Sequence, residues 1–79
     1  MNQPNVKIEG ECSDISSEQV REYIFPTGQK VRIENPLWLH VSKSGGHRII
    51  DDQGYSHYIP FTWGHLYWRV KEGMPYFVK

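Results

Sequence analysis

The chain lacks most of what staples small proteins together. Its single cysteine, Cys12, can close no disulfide within the chain, and a lone thiol fits a reducing compartment better than a secreted one. No apolar run approaches the length of a membrane span. The opening "MNQPNVKIEGE" has no apolar stretch of the kind a signal peptide carries. We therefore expect a soluble, cytoplasmic protein with no membrane contact. Net charge is missing too, because nine Lys and Arg balance nine Asp and Glu. A neutral chain is poorly equipped to neutralise phosphates, which weighs against nucleic acid as the first choice of partner. Catalytic signatures are equally scarce. There is no GxSxG nucleophile turn, no P-loop and no HxH or HExxH metal pattern. No reaction class, cofactor or metal can be assigned from the residues, and the expectation is a non-enzymatic protein.

What the chain does have is rings. It carries three Trp, five Tyr and three Phe in 79 residues, enough for one small domain. Tyr58, Phe61, Trp63, Tyr67 and Trp68 follow one another in a single short stretch. Each ring buries on the order of 150–250 Å² when enclosed, and a domain this small hides only about 60 % of its unfolded surface. Some rings are therefore expected on the outside, where aromatics anchor recognition.

The charge is unevenly spread. Residues 1–28 hold two basic and five acidic side chains, and residues 29–79 hold seven basic and four acidic ones. Residues 1–14 are polar and aperiodic and read as a mobile acidic arm, with "VKIE" a possible edge strand. Residues 15–79 read as a single compact β-domain. At its start, "SDISSEQ" suggests one short helical turn over 15–20, capped by Asp14 or Ser16, with Gln19 three residues after Ser16.

Beyond that point the pattern has period two. "REYIFPTGQKVRIE" is a hairpin signal, with strand-like runs at 20–25 and 29–34 about a turn at Gly28. In "LWLHVS", Leu37, Leu39 and Val41 are assigned to the core, and Trp38, His40 and Ser42 to the opposite face. "KSGG" is a loop, "HRIID" a strand, "DDQG" a turn and "YSHYI" the return strand. "HLYWRVK" alternates Leu66, Trp68 and Val70 inward against Tyr67, Arg69 and Lys71, and "YFV" closes the chain as a last strand. Trp68 and Phe61 are taken as core. The prediction is an all-β fold of five to seven short strands, a strongly bent antiparallel meander or half-closed barrel of the SH3-like or OB-like kind.

The expected role is an interaction module. Its candidate contacts are Trp63, Tyr58, Tyr67, Trp38, His57 and Arg48, and its partner a protein or a second copy of the chain. Lys43, Ser44, Gly45, Gly46 and His47 form a candidate anion-binding loop of glycines and basic side chains. The alternative is a single-stranded nucleic-acid binder that stacks bases on the rings beside Arg32, Lys43, Arg48, Arg69 and Lys71. Size and the lack of catalytic apparatus suit a small accessory protein of the sort phage genomes encode.

Overall fold

The computed structural model describes residues 12–74. The expected strands at 6–9 and 76–78, and most of the expected arm, lie outside the described residues. Seven strands follow one another: β1 (Cys12–Asp14), β2 (Glu18–Ile24), β3 (Lys30–Glu34), β4 (Pro36–Val41), β5 (His47–Asp51), β6 (Ser56–Ile59) and β7 (His65–Val70). The fold is all-β, as the period-two pattern predicts. The strands form two antiparallel sheets, one of order β1-β4-β5-β6 and one of order β3-β2-β7, which do not close into a barrel.

Two expectations at the N-terminal side need correction. The proposed helical turn over 15–20 is a tight bend into β2. The Ser16 amide donates to Asp14 Oδ1 at 2.9 Å, and the Glu18 amide to the Ile15 carbonyl at 2.9 Å. Asp14 thus caps a turn and not a helix, a local bond that competes with helical geometry. Cys12–Asp14, placed in the arm from sequence, form β1 and pair with Trp38–His40.

Every bonded pair of strands runs antiparallel, and the turns collect at two ends. Turns 25–29, 42–46 and 60–64 meet at one end. There the Gly64 amide donates to the Ile24 carbonyl at 2.9 Å, and a Cβ on Gly45 would lie 3.4 Å from Phe61 Cβ. The 15–17 bend, Asn35, the 52–55 turn and the 71–74 turn meet at the other. They are stitched by the Lys71 amide to Ser17 and the Asp52 amide to Asn35, at 2.8 and 3.1 Å.

Between the sheets sits a core of Ile15, Tyr23, Ile33, Ile49 and Ile59, with Phe25, Val31, Leu39, Trp63 and Leu66 packed around it. Residues opposite one another in antiparallel strands share a face. Leu66, Trp68 and Val70 therefore turn inward with Tyr23, Arg21 and Glu18, as the β7 alternation predicts. Two core assignments fail. Val41 ends β4 at the rim and is 55 % exposed, and Phe61, in the turn after Pro60, is 59 % exposed.

The interior is not purely apolar. Glu18 is fully buried and Arg21 nearly so. The guanidinium grips the carboxylate with two bonds, Nε to Oε1 at 2.8 Å and Nη2 to Oε2 at 2.7 Å. Its remaining Nη1 donates to the Tyr23 hydroxyl at 3.2 Å, and its Cζ lies 5.1 Å from the Trp68 ring centroid. The Tyr23 hydroxyl in turn lies 2.6 Å from His47 Nδ1. One polar chain therefore runs from β2 of one sheet to β5 of the other.

Candidate functional site

The six candidate contacts separate into groups. Trp38, Arg48 and Tyr58 come together. Register places Cys12, His40, Arg48 and Tyr58 in one row across the outer face of the four-stranded sheet, and Asp14, Trp38, Ile50 and Ser56 in the next. The other three lie elsewhere. Tyr67 is on the outer face of the three-stranded sheet, where its hydroxyl donates to Glu22 Oε1 at 2.7 Å. That bond to a carboxylate pushes the Tyr67 phenol above its ordinary range. His57 is held by Asp51, Nε2 to Oδ2 at 2.8 Å. Trp63 packs against the core.

Tyr58 is the centre of the outer-face group. Its ring is 53 % exposed. Three features position it. The Arg48 guanidinium lies 5.7 Å from the ring centroid, a contact worth about 0.5–1 kcal/mol at an exposed site. The Ser44 Oγ lies 3.3 Å from the hydroxyl. Beneath the ring is Gly46, where an added Cβ would meet the hydroxyl oxygen at 2.5 Å. Gly46 was read from sequence as a loop or phosphate-facing glycine. Its role here is to leave room for the Tyr58 ring. We expect Gly46→Ala to displace that ring while costing less than about 1 kcal/mol, because the free end of a side chain gives way. NMR of the Tyr58 ring protons checks this, and unchanged shifts would contradict it.

The 42–46 loop itself is a closed turn. The Ser42 amide donates to the Gly46 carbonyl and the Gly45 amide to the Ser42 carbonyl, each at 2.9 Å. Gly45 takes the positive φ of 91° that glycine tolerates. The Gly45 amide, expected to face an anion, is thus engaged within the loop. Lys43 and Ser44 are exposed, but His47 turns inward, away from them. Its ring meets Tyr23 edge-on at 5.6 Å and lies 4.6 Å from the Trp63 ring. Burial, and then the nearby Arg21 charge, hold its pKa down to about 4. His47 is therefore neutral at pH 7 and adds no charge to the loop.

At the opposite end, burial works against the Asp51 charge. The bond from His57 and the amides of Tyr55 and Gln53 outweigh it and keep the carboxyl below its ordinary range. His47 and His57 share the inner face of their sheet but bond different partners. Among the described residues no three His, Cys, Asp or Glu side chains converge to hold a metal. Among the described residues, also, no helix is long and apolar enough to cross a membrane.

Sequence reasoning missed two contributors, Val41 and Phe61, which it placed in the core. With Tyr58 they surround the 42–46 loop: Val41 precedes it, Phe61 touches Gly45 and Tyr58 covers Gly46. The arrangement is an aromatic and guanidinium surface that runs from Trp38 across Arg48 and Tyr58 to the loop and Phe61. Comparison of the chain with protein-family models, curated proteins and solved structures finds no match.

Proposed function

We propose that the protein is a non-enzymatic interaction module that grips a protein partner with the surface formed by Trp38, Arg48, Tyr58, the 42–46 loop and Phe61. One observation carries this reading: a large aromatic side chain, Tyr58, stands 53 % exposed, yet a glycine notch, a guanidinium and a hydroxyl hold it in place. A ring ordered before binding loses little rotamer freedom when it docks. Trp, Tyr and Arg are the residues that dominate interface energetics. Loops carried on a rigid sheet are where such contacts gather.

A second copy of the chain is one possible occupant, and sedimentation velocity across a concentration series decides it. A different protein is the other. Single-stranded nucleic acid would use the same rings, with bases stacked on Trp38 and Tyr58 and Arg48 on a phosphate. The surface has few cations for that, and Asp14 lies in the same row as Trp38. We expect Tyr58→Ala to weaken partner binding by about 2 kcal/mol, roughly 30-fold, with folding little affected. Arg48→Ala should produce a smaller loss in the same direction. Titration calorimetry with the captured partner measures both. Equal affinities for wild type and Tyr58→Ala would overturn the assignment.

A further inference from the structure

We propose that His47 is a latch that holds the 42–46 and 60–64 turns closed, and that its protonation releases them. The argument starts from which atom carries each proton. Arg21 has only donors. It gives two to Glu18 and a third to the Tyr23 oxygen. With that oxygen already accepting, the Tyr23 proton points to His47 Nδ1, 2.6 Å away. Nδ1 must then be bare. A proton there would set two donors against each other and leave the phenol proton without an acceptor inside the core.

The charges around the ring point the same way. From β2, His47 faces Tyr23 and, behind it, the Arg21 guanidinium, whose charge Glu18 balances on the far side. The 60–64 turn presents Trp63, and the paired residues on β4 and β6 are Val41 and Ile59, none of which ionises. On β5 itself, Arg48 lies on the other face over Tyr58. No carboxylate among these groups is placed to stabilise an imidazolium directly. Protonation therefore favours a state in which the ring leaves its site. Gly46 and the 42–46 loop are covalently joined to it, and Trp63 loses one of the two rings it packs on.

The direction with pH follows from the shift. Closed, the ring titrates at about 4; exposed, it would titrate at its ordinary 6.5. The closed state keeps its full advantage above pH 6.5 and loses it as pH falls towards 4. At pH 5 the open population should rise about 30-fold over that at pH 7.5. The effect on partner binding rests on the contact surface proposed above. The opening itself does not.

Amide hydrogen exchange on the full chain tests the latch, with protection factors corrected for the intrinsic effect of pH. The Ser42, Gly45 and Gly64 amides should lose about 30-fold of their protection between pH 7.5 and pH 5, and amides in the middle of β2 much less. In His47→Gln, which does not titrate, the loop amides should change by less than about 3-fold. Should that variant fold poorly, the wild-type His47 ring can be titrated directly by NMR, with a midpoint near 4 expected. A ring that titrates near 6.5, loop protection that ignores pH, or loss shared equally by β2 would each overturn the proposal.

Discussion

Replacing Glu18 by alanine is expected to remove most of the protein's stability. The substitution leaves the Arg21 guanidinium enclosed between the sheets with no carboxylate to meet it. Taking one partner from a buried ion pair costs about 3–5 kcal/mol. A domain of this length has a total stability on the order of 5 kcal/mol. The loss is large because Glu18 is wholly buried and both of its oxygens are bonded to Arg21, at 2.8 and 2.7 Å. Removing both charges should be far milder. In Glu18→Leu with Arg21→Met, apolar side chains of similar volume replace the pair, and stability should return to within about 2 kcal/mol of wild type. Urea unfolding of the single and double variants measures the coupling. A Glu18→Ala protein with a wild-type midpoint would show that the pair contributes nothing.

The second large effect is expected at Trp63, which the sequence suggests as a surface contact. The structure packs its indole at 5.0 Å from the Tyr23 ring and 4.6 Å from His47. Trp63→Ala opens a hole at the edge of the core and over the end of the polar chain, and should cost about 3 kcal/mol. Phe61, two residues earlier, was assigned to the core yet stands 59 % exposed. Phe61→Ala should leave stability within about 0.5 kcal/mol. Thermal unfolding of the two variants side by side decides which ring is inside. A reversed order would place Phe61 in the core and Trp63 on the surface.

This exchange shows where the sequence was legible. The strands were, because Gly28, Gly54 and Pro60 mark their ends and period-two alternation runs through β3 and β7. That some rings stand outside follows from counting aromatics against the size of the core, and among the described residues Tyr55, Tyr58, Phe61 and Tyr67 do; the count does not say which. The inside of the 60–64 turn was not legible. No periodicity operates in a turn, so nothing in "PFTWG" says which of two rings folds inward.

The inward face of β2 was hidden for another reason. In "EQVREYI" either alternating set carries a charge, Arg21 in one and Glu22 in the other, and hydropathy does not choose between them. The register shift between Glu18 and Val20 then brings Glu18 onto the same face as Arg21. A β-bulge of this kind leaves no mark in the alternation. Gly46 was misread because its neighbour Gly45 explains the turn by itself. The need for a second glycine comes from Tyr58, twelve residues away, and depends on a register the sequence does not state.

The grouping of Trp38, Arg48 and Tyr58 was legible only as a list. Their meeting on one face depends on β4, β5 and β6 being neighbours in the right register. Tyr67 and His57, equally plausible as residue types, fall on the other sheet and beside Asp51. Residue type selected the candidates, and strand pairing decided which of them act together.

The most direct measurement of the proposed role is a paired capture from nuclease-treated lysate of the cells that make the protein. Wild type and Tyr58→Ala serve as bait, both first shown to be folded. The contact surface proposed here predicts a protein retained by wild type after nuclease treatment and lost from Tyr58→Ala, with hydrogen-exchange protection in the complex centred on the 42–46 loop and β6. Equal recovery on both baits, or retention that nuclease or moderate salt abolishes, would contradict it.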